Sequence, residues 1–475
     1  MKTAIWWVRR DLRVEDNPAL KAALEVSAEV VPLFIADEGS MRLDAPKRIA
    51  FLWNGLRALD GELRKRGSRL IVRSGRPEEV LPAVLAESGA QAVFAEEDYS
   101  PYARARDLKV GDTLPLRLSV GLTAQHPVAV VKNDGAPYTV FTPFSKAWKA
   151  LPQSSPAGLL ANTRIHTPQG LFSEPIAAGA EVPGFPAGEE EARRRLEQFL
   201  AQKVRDYHDG RNQLDEEGTS RLSPYFRFGM LSARLAAAKM SESARKAASK
   251  GAETWLNELI WREFYQAILY HFPGVLKQAF NPALREIAWR DAPADLAAWK
   301  AGLTGYPVVD ASMRQLAATG WMHNRGRMIA ASFLVKDLLI NWQEGETWFM
   351  HSLIDGDPAS NNGGWQWTAG VGTDAAPYFR VFNPVLQGKK FDPRGDFVRA
   401  WVPELGRVPE KYIHEPWLMN LQEQSAAGCR VGRDYPAPLV DHSAARERTL
   451  EAFRASRLRW EQRQAGEQPE TDLPG

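Results

Sequence analysis

The chain has 475 residues, 44% of them hydrophobic and 25% charged, with a net charge of +2 and one cysteine, Cys429. Those values describe a globular protein with core enough for two to four domains. They exclude a disulfide scaffold and a cysteine-based metal site, and without a run of about 18 apolar residues they exclude a transmembrane helix.

The first 130 residues alternate short apolar strands with helical spacings. AIWWV (4–8), VVPLFIA (30–36), RLIV (69–72), AVFA (92–95) and RLSV (117–120) read as buried strands. NPALKAAL, 47–66 and PEEVLPAVLAE carry helical periodicity. This alternation predicts an α/β domain, a doubly wound parallel sheet of Rossmann-like type, over 1–130. Neither GxGxxG nor GxxxxGK[ST] occurs, so the sheet lacks the usual loops for a dinucleotide or a nucleoside triphosphate.

Residues 131–190 are rich in Pro, Gly and Ala and read as a long surface linker. From 191 to 475 the spacing is helical almost throughout: 191–205, 231–247, 252–271, 308–319, 324–341 and 345–353. An all-α domain is predicted there, with the last fifteen residues polar and frayed. Of sixteen tryptophans, twelve lie at or beyond 255, so chemistry that needs indoles belongs to this half.

Four segments carry the chemistry. GTSRLSPYFRFGMLS (218–232) sets the hydroxyls of Thr219, Ser220 and Ser223 and the fork of Arg221 ahead of a helix, an arrangement suited to phosphate or to an ordinary helix cap. WLNELIWREFYQAILYHFP (255–273) puts Trp255, Glu258, Trp261 and Arg262 on one helix face. Two charges there make a poor core stripe and a good cleft wall, where indoles stack on bases and a carboxyl bonds base edges. TGWMHNRGRMIAAS (319–332) gathers Asn324, Arg327 and Met328 in one turn, and 321–336 holds three basic residues and no acid. LIDGDPASNNGGWQW (353–367) supplies Asp355, Gly356, Asp357 and Asn361 in what reads as a loop that cannot be regular helix. Its aspartates lack the calcium-loop pattern, and the eight histidines show no HExxH-like pairing, so no metal is expected.

These segments, in this order, resemble the flavin domain of the DNA photolyase/cryptochrome family, and WWVRRDLRVEDNPAL resembles that family's opening strand and loop. The resemblance runs clearly over about 1–405. GTSRLSPY, WLNELIWRE, GYPVVDASMRQLAATGWMHNR and DGDPASNNGGWQW carry most of it, and they are most similar to class I cyclobutane pyrimidine dimer photolyases.

The resemblance implies FAD, fully reduced when active, held non-covalently in the helical domain. Tyr207 and Thr219, Ser220, Arg221, Leu222 and Ser223 would hold its phosphates and sugar, and Trp255 and Arg262 would line the cavity. Arg327 and Asp355 would pair beside the flavin ring, with Gly356 and Asp357 near, and Asn361 would face flavin N5. A neutral amide there cannot readily supply a proton, whereas plant cryptochromes carry an acid and animal ones usually a thiol.

The implied reaction is light-driven splitting of pyrimidine dimers in UV-damaged DNA, with the lesion flipped out because a stacked base is beyond reach. Glu258 would bond the lesion's carbonyl edge, with its proton retained through burial. Trp261 and Trp367 would clasp the dimer, Met328 would lie between them, and Asn324 would bond a carbonyl. Trp365, Trp342 and Trp289 would relay electrons from surface to flavin. Arg211, Arg325, Gln387, Lys389 and Lys390 would contact DNA without reading its sequence.

A second, antenna chromophore is the variable part of the family. EEDYSPYARARD (96–107) resembles the version that binds deazaflavin or FMN rather than folate, with Arg10, Phe34, Asp37, Arg48, Asp98 and Arg106 as its pocket. A cryptochrome-type blue-light receptor is the alternative, opposed by Asn361, by the lesion set and by the lack of a long C-terminal extension. A flavin oxidoreductase or plain DNA-binding module is opposed by the lack of a nicotinamide site. A monomeric cytoplasmic protein of bacterial type is expected, with no membrane and no obligate protein partner; the apolar start AIWWV is too short for a secretory leader.

Overall fold

A computed structural model describes the chain except residues 38, 40–43, 154, 157, 159–162, 248 and 467–475. Five parallel strands form one sheet in the order β3-β2-β1-β4-β5: β1 Thr3–Val8, β2 Glu29–Ala36, β3 Ile71–Ser74, β4 Val93–Glu96 and β5 Leu116–Ser119. β1 lies at the centre, pairs with β2 through Ile5↔Val31 and Trp7↔Leu33 and with β4 through Ile5↔Val93, and is buried along its whole length. Strands covered on both faces cannot alternate polar with apolar, which is why AIWWV and VVPLFIA are continuous apolar runs. Ile5, Val31, Leu33, Ile71 and Val93 form the sheet's core with Leu81 and Val84 of the Pro77–Ser88 helix. β5 departs from the expected buried strand: it is an edge whose middle residues are exposed, a position only the strand order decides.

Local chemistry starts the helices. Asn17 accepts the Leu20 N–H and Pro18 begins the Pro18–Val26 helix, and Ser100 caps Pro101–Gly111 in the same way. The second of these helices falls on EEDYSPYARARD, where the spacing alone gave none.

The expected linker is more ordered than a surface connection. It contains the Phe141–Ala150 helix, and its later part runs beside the sheet: Val30 N–H donates to the His166 carbonyl, Glu174 N–H donates to the Val72 carbonyl, and Val72 N–H donates to Ser173 Oγ.

The helical expectations fall within a few residues of Glu189–Gln202, Ala233–Ala247, Lys250–His271, Pro307–Thr319 and Trp342–Ser352. The stretch 324–341 divides. Asn324–Ser332 is α-helix, and Phe333–Asp337 widens to a π-helix closed by Leu338 N–H on the Phe333 carbonyl at 2.9 Å. Leu339 then takes φ +52, a conformation costly for a branched side chain. The C-terminal stretch is helix from His442 to Gly466, and the rest of the expected frayed tail lies outside the described residues.

Residue contacts divide the chain into two compact units. One comprises Met1–Arg211, Gly218–Pro273 and Met350–Ser360; the other comprises Asn212–Glu217, Gly274–Phe349 and Asn361 onward. The first therefore takes in the Lys250–His271 helix along with the sheet, and does not stop at residue 130 or 190.

Candidate functional site

The Lys250–His271 helix positions one set of side chains in the first unit. Ser249 caps it through the Ala252 N–H. Its inner face buries Leu256, Leu259, Ile260 and Phe264, while Glu258, Trp261 and Arg262 remain half-buried along another. Trp255 is buried and donates its indole N–H to Ser220 Oγ at 3.0 Å, so the hydroxyl loop meets this helix. In that loop Arg221 adopts φ +51, with its guanidinium 4.9 Å from the Phe185 ring. The helix that follows, Ser223–Arg227, is a single turn. Tyr207 is buried against Phe199, and burial pushes its phenol up.

Glu258 and Arg211 form an ion pair at 2.6 Å, with the Glu258 side chain 33% exposed. Glu258 is thus paired with a guanidinium at a partly exposed position, not in the burial expected of it. Trp261 lies face to face with Phe141, ring centroids 3.7 Å apart and planes 4° apart. Phe141 went unnoticed in the sequence because its stretch read as linker. Arg262 donates to the Leu122 carbonyl at 3.0 Å, and burial lowers its pKa.

Asp357 is the best-connected acid of the set. It accepts from Arg10 at 2.5 Å, from Gln266 at 3.0 Å, and from the N–H groups of Ala359 and Ser360. Burial alone would raise its pKa, but Arg10, Arg227 and Arg262 outweigh that and hold it at about 2. The last two bonds cap the Pro358–Ala369 helix, which corrects the expectation that 353–367 is loop. With the cap in place, Pro358 at the first position and buried indoles to pack, the propensity cost of Gly363 and Gly364 is overcome. Arg48 donates to the carbonyls of Met350 and Leu353, and Arg227 donates to that of Gly356 at 2.6 Å. Burial lowers Arg48 to about 10 and Arg227 to about 9, and Arg48 Nη2 and Arg227 Nη1 are buried without a bond. Asp355 is buried.

The six antenna candidates fall into two groups, both in the first unit. Arg10, Asp98 and Arg48 engage the 350–357 segment, with Arg10 bonded to Asp98 at 3.3 Å. Asp98 is held below the usual carboxylate range, because Arg10 and the Ser100 N–H outweigh its burial. Of the rest, Arg106 meets Trp7 and Tyr102, and Asp37 meets Tyr102. Arg9 and Arg106 lie 4.7 and 4.8 Å from the Trp7 ring, Tyr102 hydroxyl donates to Asp37, and Phe34 packs edge-on against Trp53.

In the second unit, Asn361 Nδ2 donates to the Glu346 carbonyl at 3.0 Å, and Asn362 Nδ2 donates to the Glu346 carboxyl at 2.9 Å. Burial raises Glu346 to about 7. Asn361 and Trp365 are four residues apart and share a helix face, whereas Trp367, two residues on, points elsewhere and is half-buried. Trp365 is 2% exposed, and its indole N–H has no acceptor. A Cβ at Gly345 would come within 2.0 Å of its ring, so the Trp342–Ser352 helix needs glycine there to approach. The rings against Trp365 are Phe349 at 4.9 Å and Trp299 at 6.1 Å; neither had a sequence signal beyond being aromatic. Trp342 is buried at the start of its helix and Trp289 is half-buried.

Met328 sulfur lies 3.8 Å from Asn324 Nδ2 and 3.6 Å from Arg325 Nη1. Arg325 also bonds Asn212 and stacks on Phe391. Arg327 donates to the Met322 carbonyl at 2.9 Å. Of the basic candidates near Gln387, Lys389 pairs with Glu415, while Lys390 is exposed beside Phe391. No described helix is long and apolar enough to cross a membrane.

Comparison with known proteins gives two family matches along the chain. Residues 4–161 match the family model described as DNA photolyase, and 255–455 match the FAD binding domain of DNA photolyase. A Streptomyces griseus deoxyribodipyrimidine photo-lyase is 43% identical over 462 residues, which is 94% of this chain and 98% of that one. The crystal structure of a class III photolyase from Agrobacterium tumefaciens superposes with a TM-score of 0.91 at 38% identity, covering 96% of this chain and 98% of that one. An archaeal photolyase from Sulfolobus tokodaii, whose crystal structure holds two FAD molecules, gives a TM-score of 0.82 at 31% identity, with 95% and 100% covered.

Proposed function

The chain belongs to the DNA photolyase/cryptochrome family, and we infer that it is a carbon–carbon lyase that uses light to split cyclobutane pyrimidine dimers in DNA, with FAD as its cofactor. The observation that carries this reading is the accessible edge of the Lys250–His271 helix, where a carboxyl group and a backed indole stand three residues apart. A receptor has no use for such a pair, and a lesion with carbonyl edges and an apolar flank has a use for both.

The residues present fit a flavin dinucleotide. Ser220, whose oxygen accepts from Trp255, keeps its own O–H to give, and Thr219 and Ser223 add two more hydroxyls. Trp365 keeps a buried N–H without an acceptor among the described residues. Tyr207, Thr219, Ser220, Arg221, Leu222, Ser223, Trp255 and Arg262 would hold the group's phosphates, sugar and cavity side, and Arg327, Asp355, Gly356, Asp357 and Asn361 would hold its ring. Bound and fully reduced, FAD would supply on excitation an electron to open the dimer.

The protein's own part is positioning and charge. Asn361, its Nδ2 spent on the Glu346 carbonyl, has no acidic proton to give. Glu258 bonds the lesion's carbonyl edge after exchanging Arg211 for it, and Arg211 is then released toward a phosphate. Trp261, backed by Phe141, and Trp367 are assigned to the dimer's apolar flank, and Met328 and Asn324 to further contacts with the lesion. Arg325, Gln387, Lys389 and Lys390 bind the backbone, so affinity is independent of sequence and falls with salt. Trp289, Trp342 and Trp365 would relay electrons inward from the surface. The Trp7, Tyr102 and Asp37 group, with Arg106 and Phe34, is the better half of an antenna site for a deazaflavin or FMN. We place the protein in the cytoplasm as a monomer.

The test is blue-light illumination of reduced protein with dimer-containing oligothymidylate, followed by absorbance at the thymine band. Light-dependent recovery is expected, and its absence overturns the lyase reading in favour of a receptor. Replacing Trp289 or Trp342 by Phe slows photoreduction while sparing repair by chemically reduced protein.

A further inference from the structure

Lys336 is a buried amine to which the proposed repair chemistry gives no role. It lies in the Phe333–Asp337 π-helix, 1% exposed, and no carboxylate among the described residues faces it. Its ammonium group donates to the Ala369 carbonyl at 2.8 Å and to the Tyr378 carbonyl at 3.3 Å, and sits 3.7 Å from the centre of the Phe453 ring. The same Phe453 ring meets Trp289 edge-on at 6.0 Å. The charge therefore lies no more than about 10 Å from the Trp289 ring, the sum of those two separations.

The backbone fixes this juxtaposition. Arg290 N–H donates to the Leu339 carbonyl and Arg290 Nη1 donates to that of Leu338, tying the segment of Trp289 to the exit of the π-helix. Thr449 donates to the Lys336 carbonyl and Arg448 donates to that of Asp337, tying down the His442–Gly466 helix that carries Phe453.

The neighbouring charges are mostly paired. Asp337 bonds His442 at 2.6 Å, Arg290 faces Asp295 at 3.0 Å, and Arg463 faces Glu286 at 2.5 Å. Arg457, 5.6 Å from the Tyr378 ring, reaches Glu461 at 4.0 Å, and Arg448 feels Asp337. Lys336 alone among these faces no acid, and burial lowers it to about 7.

We propose that Lys336 is a positioning residue for electron transfer, whose buried positive charge governs how long an oxidised indole survives at Trp289. The inference rests on the relay assigned above. In the step concerned, one electron leaves the Trp289 ring for Trp342 and a radical cation remains on Trp289. That cation is filled either by return of the same electron or by a soluble thiol that gives one electron. A fixed ammonium group nearby raises the energy of the hole at Trp289 and biases it inward, where return is faster. A unit charge about 10 Å away, at an effective permittivity of about 20, shifts such an equilibrium by roughly tenfold.

The experiment follows tryptophan radical absorption after a laser flash on the FAD-loaded protein, in the absence of thiol, for the parent, Lys336→Met, Lys336→Arg and Trp289→Phe. Lys336→Met is expected to lengthen the radical's life by about threefold or more, and Lys336→Arg to leave it near the parent's. In the parent the lifetime should rise from pH 6 to pH 9 and in Lys336→Met it should not, which sets aside titration of His442. Equal lifetimes in Lys336→Met and parent overturn the proposal, as does an arginine variant that behaves like methionine, since packing and not charge would then be at work. If Trp289→Phe leaves the radical signal unchanged, the relay reading fails instead. A second readout needs no light: in urea, Lys336→Met should gain stability over the parent at pH 6 and lose that gain by pH 10, and a constant difference overturns the claim that the fold holds a charged amine there.

Discussion

Asp357→Asn isolates the strongest electrostatic feature of the flavin segment. The carboxyl's depression from the ordinary 3.8 to about 2 converts, at 1.36 kcal/mol per tenfold, to roughly 2–3 kcal/mol of stability at pH 7. Because the folded value is the lower one, that stability is present above pH 3.8 and is lost as pH falls toward 2. Asn can still accept the Ala359 and Ser360 N–H groups, so the helix cap survives and only the ionic part is removed. Arg10 then remains buried but not alone, since Asp98 still holds it at 3.3 Å, which keeps the cost below that of stranding a charge. Asp357→Ala loses the cap as well and should cost about 1 kcal/mol more. The assay is urea unfolding of the FAD-loaded protein at pH 7, run as a double-mutant cycle with Arg10→Met. A coupling of roughly 2 kcal/mol between the two sites is expected. Additive effects, or a loss below about 0.5 kcal/mol for Asp357→Asn, would refute the reasoning.

Three further outcomes follow from named contacts. Burial holds the proton on Glu346 up to about pH 7, so between the ordinary 4.5 and 7 the folded protein binds more protons than the unfolded one. Stability should therefore fall by about 1–3 kcal/mol as pH rises through that window, and Glu346→Gln should flatten the slope in urea titrations. Glu258→Ala should lower the repair yield by about tenfold with the flavin-to-protein absorbance ratio unchanged; loss of flavin would mean that Glu258 serves the cofactor. Phe141→Ala removes the ring stacked on Trp261 and should weaken binding of dimer-containing oligonucleotide by about 3–10-fold in a fluorescence anisotropy titration, leaving affinity for undamaged DNA unaltered.

Much was legible in the chain itself because it depends on local chemistry. Continuous apolar runs specified the buried parallel strands, helical spacing put Trp255, Glu258, Trp261 and Arg262 on one helix, and the order of four segments indicated the family. Asn17–Pro18 and Ser100–Pro101 show cap signals of the same local kind, and the second went unread only because the helix behind it lacks an apolar stripe. What tertiary structure alone decided involves partners distant in sequence. NNGGWQW looks unable to form helix until Asp357, held by Arg10 from 347 residues away, caps it and buried neighbours fix Trp365. Likewise Glu258 exchanges burial for Arg211, Phe141 leaves a supposed linker to back Trp261, and Lys336 becomes a buried charge only where the C-terminal helix closes over a π-turn. Propensity and periodicity are sums over neighbours along the chain, whereas charge compensation and ring contact are set by distances through space, which a spacing of residues does not contain.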